Sequence, residues 1–356
     1  MKRILALDGG GVRGALTLGY LKKMETILRE KNNNPNYLLC DYYDLIGGTS
    51  TGCIIAAALV IGKSVDEITD LYYSLSSDIF PPTPAWKKLL KQVFTGAAYN
   101  HVPLEKHLHS EFGEIKMFDD SIRTGFCSIT KRLDTNSVWV LHNNPEAKYR
   151  KYNNFFLRDI CRATSAAPTY FKPLVLDIGQ GMYGTFVDGG LSMSNNPSLQ
   201  LYLLATVKGY KFNWDQGPEN LQITSLGTGV APVKLDYKKT ANMKLAGWAT
   251  SIPDYLMKDA LSWNTLLMQL LSHSPTAEQV DREVGDLHDE CIKEAFSYYR
   301  YNATLDMNYL NTLGLSVPMT EKLVAELADM SNAKNVRLLN EIGVKSAELQ
   351  IKEGMF

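Results

Sequence analysis

The first sixty residues run twice through the same pattern: a short apolar run, a cluster of glycines, then apolar positions at helical spacing. Arg3–Leu7 reads as a buried strand. Gly9-Gly10-Gly11-Val12-Arg13-Gly14 follows, and then Leu18, Leu21, Met24, Ile27 and Leu28 fall at helix spacing. Tyr43–Ile46 is a second short strand, running into Gly47-Gly48-Thr49-Ser50-Thr51-Gly52 and a very apolar helix from Cys53 to Val60. Two strand–glycine–helix units in succession predict an α/β fold with a mainly parallel sheet.

Further strands are predicted at Thr124–Thr130, Ser137–Leu141, Thr185–Val187 and Leu221–Leu226, the last ending in the turn Gly227-Thr228-Gly229. Beyond about residue 235 the glycines thin out and helical spacing dominates, over Leu256–Leu271, Asp286–Tyr299 and Thr320–Met330. The expected organisation is a catalytic α/β domain over 1–235 and a helical region over 236–356 packed against it. There is no internal repeat and no low-complexity segment.

Composition adds mainly exclusions. The 356 residues are 45% hydrophobic and 21% charged, enough to bury a sizeable core. With 37 basic and 38 acidic residues, nothing global favours a nucleic acid polymer. The N-terminal apolar run meets Asp8 after four residues, which does not fit a secretory leader. The longest apolar run, Cys53–Ile61, is far short of the ~20 residues needed to span a bilayer. The cysteines (Cys40, Cys53, Cys127, Cys161 and Cys291) form no CxxC pair and are odd in number, so reduced thiols in a cytoplasmic protein are expected.

Three motifs carry chemistry. Gly9, Gly11 and Gly14 satisfy GxGxxG between a strand and a helix, the context of a dinucleotide-binding loop. The ribose-binding carboxylate expected ~20 residues on is not convincingly placed, since Glu25 and Glu30 fall within the first helix. The same backbone N–H groups at a helix N-terminus suit any anion, including the oxyanion of acyl transfer. Gly48-Thr49-Ser50-Thr51-Gly52 is GxSxG in strand–turn–helix context, a nucleophile elbow that lifts the serine hydroxyl off the sheet.

Such an elbow usually needs a histidine base. None of His101, His107, His109, His142, His273 and His288 lies in a catalytic-loop context, and the His107/His109 pair reads as solvated surface rather than a metal pair. Asp188-Gly189-Gly190, after the strand Thr185–Val187 and before Asn195-Asn196-Pro197, offers an aspartate at a strand's C-terminal end. An aspartate capping its own turn has the same appearance.

Taken together and in this order, Asp8-Gly9-Gly10-Gly11-Val12-Arg13-Gly14, Gly48-Thr49-Ser50-Thr51-Gly52 and Asp188-Gly189-Gly190 resemble the patatin-like phospholipase family. Arg162-Ala163-Thr164-Ser165-Ala166-Ala167-Pro168-Thr169-Tyr170-Phe171 is similar to a further segment typical of it. The resemblance covers about residues 1–235. It implies a three-layer sandwich around a mainly parallel sheet, and a Ser-Asp dyad in which Asp188 takes the proton from Ser50. It further implies an oxyanion hole from the backbone of Gly10, Gly11, Val12 and Arg13, with no metal and no cofactor. The implied activity is hydrolysis of fatty-acyl esters of membrane phospholipids, of phospholipase A type.

Size, the absence of an export signal and the helical C-terminal region resemble, more loosely, effectors of anti-phage systems, some of them switched on by cyclic nucleotides. On that likeness the expected partners are membrane phospholipids in peripheral contact at the inner face of the membrane, a cyclic nucleotide activator and a second copy of the chain. Pro81-Pro82-Thr83-Pro84-Ala85 leads into Trp86, Leu89, Leu90, Val93 and Phe94, interleaved with Lys87, Lys88 and Lys91. A short helix there would suit an anionic lipid surface, or simply cover the mouth of the active site. The rival readings are an oxidoreductase using the Gly9–Gly14 loop and a non-catalytic storage or interaction protein on the same fold.

Overall fold

The computed structural model describes residues 1–84, 92, 96–150, 154–232, 237–287, 290, 292–352, 354 and 356. Its strands are β1 (Lys2–Leu7), β2 (Leu45–Thr49), β3 (Gly125–Arg132), β4 (Ser137–His142), β5 (Leu174–Asp177), β6 (Tyr183–Asp188), β7 (Leu221–Leu226) and β8 (Ser297–Tyr301). The helices are α1 (Gly14–Lys31), α2 (Leu39–Tyr42), α3 (Thr51–Val60), α4 (Val65–Ile79), α5 (Val102–Phe112), α6 (Leu157–Thr164), α7 (Ser198–Thr206), α8 (Tyr237–Ala241), α9 (Leu245–Leu270), α10 (Met307–Thr312), α11 (Glu321–Ala328) and α12 (Val336–Gln350).

The strands form one sheet in the order β5-β6-β3-β2-β1-β7-β8, with β4 also paired to β3. The pairs from β3 through β8 are parallel, and β4, β5 and β6 add antiparallel pairs. Alternation along β1 sends Leu5 and Leu7 to one face and Ile4 and Ala6 to the other. The first face packs on α1, α3, α4, α5 and α12; the second packs on α7 and Met268 of α9. That is the expected three-layer α/β arrangement with a helical C-terminal region.

Two sequence readings change. The strand expected at Tyr43–Ile46 runs instead through the glycines to Thr49, because its parallel partners β1 and β3 extend that far. Among the described residues of Asp286–Tyr299 there is no helix, and Ser297–Tyr301 is strand β8, paired in parallel with β7. The apolar spacing suggested a helix, but the aromatic run Tyr298-Tyr299-Arg300-Tyr301 suits a pleated surface, and β7 offers it a free edge. The region past residue 235 therefore completes the sheet as well as supplying helices. The Trp86–Phe94 face of the sequence reading lies outside the described residues.

Register places the chemistry. β4 covers one edge of β3 from Cys127 to Arg132, so β2 and β6 share the other edge. β2 pairs up to Thr49↔Ile129, and β6 takes over at Thr130↔Asp188. Two consecutive residues of β3 thus hold the residue before Ser50 and Asp188 side by side.

Candidate active site

Ser50 sits between β2 and α3 with φ 53° and ψ −126°, a left-handed conformation that non-glycine residues rarely adopt. The glycines of the elbow are there for close approach. A Cβ on Gly48 would lie 2.3 Å from the carbonyl carbon of Gly52, and one on Gly52 would lie 2.3 Å from the Leu7 carbonyl oxygen. The strained turn is braced from outside. The Ser50 N–H donates to the Thr164 hydroxyl at 2.9 Å, and that hydroxyl donates to the Ile129 carbonyl at 2.5 Å.

Asp188 ends β6, buried, and accepts the Gly190 N–H at 2.7 Å. The Ser50 side chain acts on the same carboxyl, favouring its ionised form. Burial pushes the carboxyl up to about 6, against the pull of Ser50 and Gly190. The Asp188 N–H donates to the Ala166 carbonyl at 3.2 Å. The segment Arg162–Phe171 therefore holds the backbone of both residues, one through Thr164 and the other through Ala166.

In the glycine loop, the carbonyls have partners of their own. Gly9 O accepts from the Thr228 hydroxyl at 3.1 Å and the Asn195 amide at 3.3 Å, and Gly10 O accepts from the Arg13 N–H at 3.2 Å. The Tyr72 hydroxyl donates to Gly11 O. Because a peptide plane points its N–H opposite its carbonyl, the N–H groups of Gly10 and Gly11, which both line the pocket, point away from the partners of the Gly9 and Gly10 carbonyls. No hydrogen bond engages either of them among the described residues.

The expected four donors narrow here. The Val12 N–H is taken by the Met330 carbonyl at 2.9 Å, and the Arg13 N–H closes the 3-10 turn onto Gly10. Both of these N–H groups hold the loop. Gly14 fits closely against Tyr72 and Thr51, where a Cβ would lie 2.6 Å from the Tyr72 hydroxyl. Gly189 likewise sits against Ile129, with a Cβ 2.3 Å from its carbonyl oxygen.

Ser50, Asp188, Gly10 and Gly11 open on one cavity of about 560 Å³. Its walls are mostly apolar and aromatic, among them Ile54, Leu75, Ile79, Phe80, Leu104, Tyr170 and Phe171. No histidine lines it among the described residues. His107 pairs with Asp78 at 2.8 Å, and His142 is buried beside Tyr210 and Phe212, where burial pushes its imidazole down to about 4. His288 lies outside the described residues. The strand β2 ends at Thr49, not at the carboxylate that a dinucleotide site requires.

Three residues had no role in the sequence reading. Tyr72 of α4 bridges the Gly11 carbonyl and the Thr51 hydroxyl, the latter at 2.7 Å. Asn195, seen only as part of an Asn-Asn-Pro run, ties the glycine loop to the Asp188 loop: its carbonyl accepts the Gly9 N–H at 3.1 Å. Arg300 of β8 forks onto Asp8. The signal for Arg300 was a lone arginine in an aromatic run, and it was hidden by the helical reading of the residues just before it, Asp286–Tyr299.

Comparison with known proteins bears on this geometry. A family model described as patatin-like phospholipase matches residues 5–202. A cGAMP-activated phospholipase from Escherichia coli (strain TW11681) is 33% identical over 233 residues, covering 64% of this chain and 62% of its own length. A protein of the same name from Vibrio cholerae serotype O1 is 35% identical over 203 residues, 55% of either chain. Patatin-17 from Solanum cardiophyllum is 28% identical over 372 residues, covering 99% of this chain and 85% of its own. The match thus spans less than two thirds of the length of the two cGAMP-activated relatives.

Proposed function

The chain belongs to the patatin-like phospholipase family, a lipid acyl hydrolase family, and from that premise we propose that it cleaves phospholipid acyl esters, in the manner of a phospholipase A, through Ser50 and Asp188. The observation that carries this reading is that Ser50, in its strained turn, and the buried Asp188 line one apolar cavity, with the Ser50 side chain acting on the Asp188 carboxyl. A carboxylate with its pKa raised to about 6 is a stronger base than an ordinary one and is still ionised at neutral pH.

Asp188 takes the Ser50 proton as Oγ attacks the ester carbonyl. The N–H groups of Gly10 and Gly11 hold the oxyanion, helped by the N-terminus of α3. Collapse of the tetrahedral intermediate expels the lysolipid alkoxide, which takes the proton back from Asp188. Water, deprotonated by Asp188, then cleaves the acyl-enzyme and restores Ser50. The acyl chain occupies the cavity between α3, α4 and the Arg162–Phe171 segment, whose volume lies within the usual range for small-ligand sites of about 300–1,000 Å³.

The names of the relatives from E. coli and V. cholerae favour a second element, activation by a cyclic nucleotide, and with it a role in antiviral defence at the inner face of the membrane. One experiment tests both. Purified protein is incubated with mixed phospholipids, with and without cGAMP, and fatty-acid release is followed alongside labelling by a fluorophosphonate probe. Release that depends on Ser50 supports the hydrolase reading, and its dependence on cGAMP supports activation. Absence of both labelling and release sinks the hydrolase reading.

A further inference from the structure

α9 is amphipathic in an unusual sense: the side turned away from the protein is apolar. Leu245, Trp248, Ile252, Leu256 and Trp263 are all exposed, Leu245 at 85%, Leu256 at 62% and Trp263 at 56%. At 100° per residue these five positions fall within one stripe, about 27 Å long from Leu245 to Trp263. Asp259 is the charged residue within it. On the other side of the helix Ala260, Asn264 and Met268 are buried. Large side chains in contiguous exposure are rare on a soluble surface and mark a contact.

What the stripe contacts is indicated by its surroundings. Met257, on the inward side, lines the catalytic cavity. The helix packs beside the Gly189–Leu191 turn that follows Asp188. Leu191 both lines the cavity and is exposed, and Met193 next to it is exposed at 61%. The apolar face therefore runs on to the mouth of the acyl cavity. From residue 237 to 270 the chain carries four lysines against two aspartates, and Lys238 and Lys244 are exposed at the N-terminal end of the stripe. An apolar face with tryptophans toward both ends and a lysine-rich end matches an anionic lipid interface better than a protein partner. No helix among the described residues is long and apolar enough to cross a membrane, so the fit is to lying in the interface plane.

We infer that α9 is the surface by which this protein docks on an anionic phospholipid bilayer, with the mouth of the acyl cavity turned to the lipid. The inference rests on the acyl-hydrolase reading for its biological sense, but binding is tested apart from catalysis. Ser50→Ala protein, full length, is sedimented with vesicles of phosphatidylglycerol and phosphatidylcholine. It binds them, and adding Trp248→Ser, Leu256→Ser and Trp263→Ser lowers the partition by about tenfold or more, as expected for withdrawing three apolar side chains from the interface. On the active Ser50 background the same three changes reduce vesicle hydrolysis in step with binding and leave turnover of p-nitrophenyl butyrate within about twofold, since all three positions are exposed and outside the cavity lining. A second measurement needs no disruptive variant. Lipids brominated in the acyl chain quench the tryptophan emission of the unaltered chain, and Trp248→Phe with Trp263→Phe removes most of that quenching. Unchanged vesicle partition of the triple variant, or an absence of quenching in vesicle-bound protein, overturns the inference. So does a triple variant that passes from dimer to monomer while still binding vesicles, because the face would then belong to a second copy of the chain.

Discussion

Arg300 reaches across 292 residues of sequence to fork onto Asp8: Nη1 donates to Oδ1 at 2.9 Å and Nη2 to Oδ2 at 2.6 Å, with both side chains buried. Nη1 also donates to the Ser225 hydroxyl at 2.8 Å. Asp8 is the residue before the glycine loop, so a strand from the C-terminal third of the chain anchors the loop that faces Ser50. Burial works against the Arg300 charge, but the carboxylate more than offsets it and the guanidinium lies above the ordinary arginine value.

Breaking this pair from one side leaves a buried charge alone. Arg300→Met is expected to cost about 3–5 kcal/mol of stability, read as a shift of the denaturation midpoint in urea. Asp8→Asn combined with Arg300→Met should recover part of that loss, because no charge is then left unpaired. If Arg300→Met matched the parent in stability, the pair would have no anchoring role.

The raised carboxyl of Asp188 sets the pH profile. As a base it must be ionised, so kcat/KM on a soluble ester should rise through about pH 6 and level off above it. A rise centred near pH 4 would mean that Asp188 titrates as an ordinary carboxylate and that burial does not tune it.

The same burial has a stability consequence of definite sign. The folded pKa, about 6, lies above the ordinary value of 3.8. Stability is therefore fully present below about pH 3.8 and is lost as pH rises through about 6, up to about 3 kcal/mol for the rise from 3.8 to about 6. Asp188→Asn should abolish ester turnover while making the protein more stable than the parent at pH 8, with the gap narrowing toward pH 4. Denaturation midpoints at the two pH values check it. Equal destabilisation at both would point to loss of the Gly190 contact as the main effect.

Thr164 holds the elbow from behind. Thr164→Val keeps the shape but leaves the Ser50 N–H without its acceptor, at a cost of about 1–3 kcal/mol. Turnover of a soluble ester should fall as well, because the strained φ at Ser50 loses its brace. Full activity at unchanged stability would show that the elbow holds its shape without Thr164.

Gly11 has φ +58°, and a Cβ there would lie 2.3 Å from the Met330 carbonyl oxygen. Gly11→Val should reduce kcat by ~10²–10³, the worth of one oxyanion donor. Tyr72→Phe frees the Gly11 carbonyl without crowding the loop and should lower kcat with little change in KM. A variant at Tyr72 that raised KM alone would place it in binding the acyl chain instead.

Local chemistry made part of this protein legible in its residues. The elbow around Ser50 and the glycine loop are written in consecutive residues, because each demands small side chains at fixed offsets where backbone meets backbone. Asp188, at the end of its strand with two glycines after it, was equally readable as a turn cap, and its pairing with Ser50 came from the resemblance to the family. The parallel sheet followed from two strand–glycine–helix units, since periodicity is a local property. Pairing was not local. Thr49 and Asp188 meet because consecutive positions of β3 accept two different strands on one edge, a register that no segment carries by itself. Val12 and Arg13 looked like donors until the Met330 carbonyl and the 3-10 turn were seen to take their N–H groups. The segment just before Arg300, Asp286–Tyr299, was read as a helix because its apolar residues are spaced like one, whereas the open edge of β7 made Ser297–Tyr301 a strand and the buried Asp8 gave the Arg300 charge a partner. Spacing along the chain determines which groups a segment can present; which of them face one another is decided by the pairing of distant strands and by what burial leaves unsatisfied.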